Sequence, residues 1–229
     1  MNVLILGSGP NVTQCATWPR APFDWIVAIN NAWQVRPDWD SLVHPSDFPT
    51  DRLPQEITPH QRIITYVDYV PAQNAFGGFV YGGGTMAFTA AYWTLHVLRP
   101  TVIAFLGCDM TYSGTQTHFY GTGTADPLRA DVTLRSLEAK SARFQAMAAR
   151  QGCRTLNLSD ADSRLVFARA TPEDLSPQPI LNEAATDHAL RLEASAGYMV
   201  ASGKYWKEEH RFNHAVIDEI DAAWLATVA

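Results

Sequence analysis

Apolar positions in this chain gather into short runs separated by glycine, proline and asparagine. NVLIL at 2–6 is halted by glycine, and WIVAI at 25–29 runs into Asn30-Asn31. SLVH at 41–44, RIITYV at 62–67, VIAFL at 102–106 and RTLNL at 154–158 follow. Runs of this length without polar alternation predict strands buried on both faces, as in a parallel sheet. Between them the apolar period lengthens to that of a helix. Residues 85–98 place Met86, Ala90, Trp93 and Val97 on one side and stop before Pro100. Residues 136–151 place Leu137, Phe144, Met147 and Ala148 together, with Gly152 where a helix ends. The alternation predicts an α/β fold: a doubly wound, mostly parallel, Rossmann-like sheet. Residues 1–170 are expected to form this nucleotide-binding unit. A proline-bearing linker (171–179) and two helices broken near Ser202-Gly203 are expected to pack on it as a C-terminal extension.

Residues 108–131 fit neither period. They are rich in glycine and threonine but carry Tyr112, His118, Phe119 and Tyr120, and are read as a lid.

Composition narrows the function classes. The 229 residues carry a net charge of −6, with lysine and arginine scattered, which argues against nucleic acid as partner. The charged fraction of 17% is low, as in a chain with much buried surface or a homo-oligomer hiding more of it. No apolar run approaches a membrane span. Cys15, Cys108 and Cys153 form no CxxC, and no basic leader precedes the first strand, so a cytoplasmic protein with reduced thiols is expected.

The chemistry starts at Gly7-Ser8-Gly9-Pro10-Asn11, a Gly-x-Gly turn expected to pass from strand to helix. Backbone N–H groups there form an anion site; the alternative is a turn needing glycine for its dihedrals alone. A dinucleotide fingerprint is not met. Its third glycine would fall on Val12, and the acidic residue after the second strand is replaced by Asn30-Asn31, an amide pair suited to a base edge or sugar hydroxyl.

In this order the residues resemble the bacterial lipooligosaccharide sialyltransferases. Residues 7–11 resemble their Gly-Asn-Gly-Pro-Ser loop, and Asn30 falls where they have a donor-contacting asparagine. His44-Pro45-Ser46 resembles their Asn-Pro-Ser, Gly83-Gly84-Thr85 their Ser-Gly junction, Gly107-Cys108-Asp109-Met110 their Gly-Ile-Asp-Phe, and residues 117–121 their Ser-His-Tyr-Ile-Gly in the lid. The resemblance spans about residues 1–165. It implies a CMP-sugar donor, a hydroxyl acceptor, no metal and no further cofactor. It also implies that Tyr112 and Tyr120 bind the departing phosphate. One departure concerns catalysis: the family's base, a second histidine past the lid glycine, is replaced by Thr122. The pattern also resembles, more distantly, a group that includes 6-hydroxymethylpterin diphosphokinases.

Several side chains keep two readings. His118 is a general base for an acceptor hydroxyl, or it pins the lid. Asp109 holds a ribose or a metal, or it caps its own loop. His44 bonds a sugar hydroxyl or ends a strand. Tyr112 and Tyr120 bind phosphate or pack the lid. Arg129 binds phosphate or pairs with Asp126 or Asp131. Tyr205-Trp206-Lys207 and Trp224 read as the packed face of the terminal helices, or, as exposed aromatics, as a subunit interface. The leading expectation is a metal-independent transferase moving a sugar from a nucleotide to a small-molecule or glycan acceptor. The nucleotide would contact residues 7–11, Asn30, Asn31, His44, Ser46, Gly83, Gly84, Thr85 and Asp109. The alternatives are a binding module without catalysis and a magnesium-dependent diphosphokinase.

Overall fold

The computed structural model describes residues 1–112, 115–123 and 129–228. Its centre is a seven-stranded sheet in which every neighbouring pair is parallel. The strands are β1 (Asn2–Leu6), β2 (Trp25–Ile29), β3 (Ser41–Val43), β4 (Arg62–Ile64), β5 (Val102–Leu106), β6 (Arg154–Asn157) and β7 (Ala168–Arg169). They lie in the order β4-β3-β2-β1-β5-β6-β7. The chain therefore winds outward from β1 to one edge, crosses over, and winds outward from β5 to the other. The reversal lies between β1 and β5, where open α/β sheets place their ligands.

Side-chain alternation divides the sheet between two cores. Val3, Ile5, Val27, Ile29, Ile103 and Phe105 face a helical layer that includes α1 (Tyr66–Asn74), α3 (Met86–Leu98) and α4 (Leu137–Ala149). Leu4, Leu6, Ile26, Ala28, Ala104 and Leu106 face Val12, Cys15, Ala32 and Trp39. That second face is covered by 3₁₀ segments, Pro10–Thr17 and Asn30–Gln34, and by loops. The turn after β1 thus feeds a 3₁₀ helix, not the α-helix that the Gly-x-Gly pattern led us to expect. Proline at the first helical position suits the turn, since the N–H it lacks would have no partner within the helix.

The expected strand at 62–67 stops at Ile64. Thr65 N–H donates to Asp68 Oδ2 (2.9 Å), a cap that starts α1. A short helix, α2 (Phe79–Gly82), and the two-residue β7 were not foreseen. Val97, placed on the packed face of α3, is exposed, whereas Ala90 and Trp93 are buried.

The C-terminal helices α5 (Glu183–Ala196) and α6 (His214–Leu225) form an outer layer on α4. Charge as well as apolar area holds them. Arg143 of α4, buried at 1% side-chain exposure, makes a two-pronged bond to Glu193 of α5 (2.6 and 2.8 Å). Two of its other protons reach Tyr92 Oη and the Phe76 carbonyl, both at 2.6 Å. Trp224 Nε1 of α6 donates to the same Glu193 carboxylate at 2.7 Å. Alongside, Lys140 bonds Asp221 at 2.7 Å. Burial pushes the Asp221 carboxyl above its ordinary range, against the pull of Lys140.

Removing one partner of such a pair leaves the other charge uncompensated in the interior. Arg143→Met is expected to lower unfolding free energy by about 3–5 kcal/mol, read by chemical denaturation. Arg143→Met with Glu193→Leu should recover part of that loss. An Arg143→Met protein as stable as the parent would mean the pair does not hold the outer layer.

Candidate functional site

The carboxyl ends of the strands open into a cavity of about 970 Å³. The segment following each of the first six strands contributes to its wall: Gly7–Asn11 after β1, Asn30 after β2, Pro45–Asp47 after β3, α1 residues after β4, residues 107–112 after β5 and Ala161 after β6. This volume lies within the range that holds a nucleotide-sized ligand.

The glycine turn is built differently from its sequence reading. Gly7 N–H donates to the Leu106 carbonyl and Gly9 N–H to the Gly107 carbonyl, each at 2.8 Å. Two of the N–H groups expected to face an anion are therefore occupied within the protein. Neither glycine has a positive φ; Gly9 is at −60°. What requires them is close approach. A Cβ on Gly9 would lie 2.9 Å from the Gly107 oxygen, and one on Gly7 still nearer to it. Gly107 itself has φ +72°, and a Cβ there would meet Val12 and the Gly7 carbonyl. The β1 and β5 turns thus interlock backbone against backbone.

Beside this interlock, Asn11, Asp109 and Ser159 form a closed triad. Asn11 Nδ2 donates to Asp109 Oδ2 (2.8 Å) and to Ser159 Oγ (2.6 Å), and the Ser159 hydroxyl donates to the same Asp109 oxygen (2.8 Å). The opposite oxygens, Asn11 Oδ1 and Asp109 Oδ1, are buried and have no hydrogen-bond partner among the described residues. The same is true of Ser8 Oγ and Asn30 Oδ1. All four belong to residues lining the cavity. Buried polar atoms are rarely left so, and four of them fall on residues of one wall.

Backbone strain gathers there too. Among the described residues the non-glycine positions with positive φ are Asn30, Met110, Tyr112 and Arg99. The first three line the cavity, while Arg99 ends α3. Such conformations persist where the surrounding structure enforces them, and they favour functional sites.

The described lid residues lie over this wall. Phe119 N–H donates to the Ser8 carbonyl at 3.0 Å, and the Phe119 side chain packs on the second core. His118 is 9% exposed and lines the cavity, with Thr117 Oγ1 2.9 Å from its Nδ1. The rings of Tyr112 and Tyr120 stand 5.9 and 5.1 Å from the imidazole. Gly123 makes room for that ring, since a Cβ there would approach it to 2.5 Å. Of the expected lid at 108–131, residues 113, 114 and 124–128 lie outside the described residues, and with them Asp126 as a partner for Arg129.

Further round, Arg129 Nε donates to Asp131 (3.0 Å), and Tyr205 Oη donates to the same carboxylate (2.7 Å). Burial pushes the Asp131 carboxyl up, but bonds from Thr133, Tyr205 and Arg129 outweigh it and hold the group below its ordinary range. Gly84 permits this cluster, because a Cβ would meet Thr133 Oγ1 and Tyr205 Oη.

Of the residues expected at the site, Gly7, Ser8, Gly9, Pro10, Asn11, Asn30, Ser46, Gly84, Thr85, Asp109, Tyr112, His118 and Tyr120 line the cavity. Asn31, His44 and Gly83 do not. Asn31 is buried behind the wall, and His44 Nδ1 donates to the Pro45 carbonyl (2.9 Å) with its ring against Phe48. Cys108 lines the cavity too, but burial pushes its thiol well up, so it is no thiolate nucleophile.

The 202–206 turn was not foreseen as part of the wall. Tyr205, Trp206 and Lys207 belong to a 3₁₀ turn rather than to the terminal helices, and Lys204, Tyr205 and Trp206 line the cavity. Trp224, fully buried on α6, follows the expected packing; Tyr205 is packed too, though on the turn, and Trp206 is exposed. Nothing in local periodicity marks this turn; its place is set by Gly203, φ +73°, packed against Val70 and Phe79. Searched against models of protein families, against curated proteins and against solved structures, the chain finds no match in any of the three.

Gly7→Ala is expected to cost about 2 kcal/mol or more of stability with no ligand present, because the strain falls on backbone; thermal unfolding of the free protein checks it. An unchanged melting temperature would refute the interlock. Asp131 supplies a pH test. Its folded pKa lies below the unfolded one, so its stabilisation is full above about pH 4 and fades as pH falls through the folded value. Asp131→Asn should therefore destabilise at pH 7 and reduce the difference from wild type in acid.

Proposed function

We propose that this protein is a transferase that binds a nucleotide-sugar donor in the cavity and passes the sugar to a hydroxyl acceptor, a CMP-sugar being the first candidate. The observation that carries the reading is the wall of polar side chains, Ser8, Asn11, Asn30 and Asp109, that lines the cavity at the sheet's switch point, each with a buried oxygen lacking a partner among the described residues. Ribose and sugar hydroxyls, which both donate and accept, suit a wall of amides, a hydroxyl and a carboxylate. The resemblance of residues 7–11, Asn30 and 117–121 to the sialyltransferase motifs supports the same class.

In this reading the acceptor oxygen forms a bond to the anomeric carbon while the bond from that carbon to the phosphate oxygen breaks. The electron pair of the broken bond leaves on the nucleotide phosphate. The acceptor proton passes to His118, whose Nδ1 is tied to Thr117, orienting the ring. Tyr112 and Tyr120 flank the imidazole, and their hydroxyls would meet the departing phosphate. The lid excludes water that would otherwise take the sugar.

A calorimetric screen of CMP, UDP, GDP and ATP, followed by assay of nucleotide release from the matching sugar donor, tests the proposal. His118→Gln is expected to lower turnover by about 10²–10⁴-fold and leave nucleotide affinity within about twofold. Binding without nucleotide release by the wild type would make the protein a binding module. Unchanged turnover in His118→Gln would move the base elsewhere.

A further inference from the structure

A second wall of the cavity is built by α1, α2 and the turn between the terminal helices. Tyr66, Tyr69 and Val70 recur at spacings of three and four, so they share one face of α1, and all three line the cavity. From Tyr69 a file of rings crosses to the 202–206 turn. Tyr69 meets Phe79 edge-on (6.4 Å, 77°), Phe79 stacks on Tyr205 (6.3 Å, 27°), and Tyr205 meets Trp206 edge-on (5.5 Å, 80°). Each ring belongs to a residue lining the cavity. Tyr69 and Tyr205 are buried, whereas Trp206, which ends the file, and Tyr66 are each 56% exposed.

The file has a fixed backing. Gly203 brings the turn so close to its neighbours that a Cβ there would stand 3.1 Å from Val70 and 3.2 Å from Phe79. Asn74 Nδ2 donates to the Ala201 carbonyl at 2.7 Å, and Tyr205 Oη is tied to Asp131. Trp206 is therefore held at the cavity rim by its neighbours and not by its own burial. A large ring kept in water on a rigid support is a preorganised contact surface.

Charges of both signs edge this wall. Lys204 precedes Tyr205 in the turn. Burial pushes the Tyr69 phenol above its ordinary value, and the neighbouring Asp47 carboxylate adds to the shift. Lys204 and Asp47 are both exposed and line the cavity. An ammonium donates and a carboxylate accepts, so together they serve a hydroxyl in either role, and their opposite charges favour a neutral ligand. The group that matches flat rings with such an edge is a neutral pyranose. One of its faces offers C–H groups to a π-system, and its rim offers hydroxyls.

The described lid residues indicate which substrate brings that ring. Phe119 N–H bonds the Ser8 carbonyl, so the lid covers the polar wall, while Tyr66 and Trp206 stand open to solvent. A donor kept from water belongs under the lid, and a hydroxyl-bearing acceptor arriving from solvent meets the open rim. We propose that the wall formed by Tyr66 and Trp206 is the acceptor subsite and that the acceptor is a neutral sugar, stacked on Trp206 with its hydroxyls toward Lys204 and Asp47. The acceptor role rests on the nucleotide-sugar reading and selects a glycan over a non-carbohydrate hydroxyl compound.

Saturation-transfer NMR with the methyl glycosides of glucose, galactose, mannose and N-acetylglucosamine, and with sorbitol as a polyol lacking a ring, tests the subsite. Calorimetry with CMP and UDP accompanies it on the same variants. At least one glycoside is expected to bind wild type, and sorbitol is not. Trp206→Ala is expected to weaken that glycoside by about fivefold or more and to leave nucleotide affinity within about twofold. Trp206→Phe, which keeps a ring, should recover part of the loss, and added salt should leave glycoside affinity unchanged because the ligand is neutral. Failure of every glycoside to bind overturns the inference. Weaker nucleotide binding in Trp206→Ala with glycosides unaffected also overturns it, giving the wall to the nucleobase while the nucleotide reading stands. A dimer that Trp206→Ala dissociates, with no glycoside bound, makes the rim an interface between copies and overturns it as well. Should a glycoside bind through Trp206 while neither CMP nor UDP binds wild type, the sugar subsite stands and the nucleotide-sugar reading falls.

Discussion

The contact on which the rest of the site depends is the meeting of two turns, Gly7–Gly9 after β1 and Gly107 after β5. Backbone meets backbone there with no room for a side chain. Two hydrogen bonds from the first turn, to Leu106 and Gly107, hold the junction shut. In an open parallel sheet the segments leaving the two central strands normally part, one to each face, and leave a crevice. Here the crevice floor is closed by the interlock. Asn11 and Asp109 are consequently carried to hydrogen-bonding distance from opposite sides of the switch point.

That closure gives the cavity its chemistry. Had the turn N–H groups faced solvent, an anion would have been the natural occupant. With Gly7 and Gly9 N–H occupied, the wall is made largely by side chains, Ser8 and the Asn11–Asp109–Ser159 triad, and carries a carboxylate where an anion cradle was expected. The left-handed conformations of Asn30, Met110 and Tyr112 set the surrounding residues at angles ordinary strand ends do not give. Above them, Phe119 ties the lid to the Ser8 carbonyl, so His118 is held against the wall by the same turn.

The far wall depends on a second set of forces. Arg143 and Lys140 of α4 draw Glu193 and Asp221 into the protein, and with them α5 and α6. The chain between these helices returns across Val70 and Phe79 and delivers Lys204, Tyr205 and Trp206 to the cavity. Buried charge is costly, and its geometry is correspondingly demanding: Glu193 accepts from both Arg143 and Trp224. The outer helical layer therefore positions part of the site that the sheet cannot reach.

Much of the sheet was legible because a strand buried on both faces must be apolar throughout, so NVLIL, WIVAI and VIAFL announce themselves. The overrun past Ile64 came from the same rule, since apolar residues continue into α1. The signal that ends the strand, Thr65 with Asp68 three residues on, is polar and local. β7, two residues long, has no period to read. Asn30, Asp109 and the glycine turn were marked by their place after strands, where ligands gather. The sequence by itself determined the central strands and the long helices, their parallel arrangement and the edge of the sheet that carries the candidate site, because these follow from local periodicity and chain connectivity. Only the tertiary structure decided that Gly7 and Gly9 are required by Gly107, that Asn11 turns its protons inward to Asp109 and Ser159, and that Lys204 faces the same cavity. Each of these is a contact between residues far apart in the chain, and its bonds exist only once the sheet has brought the partners within reach.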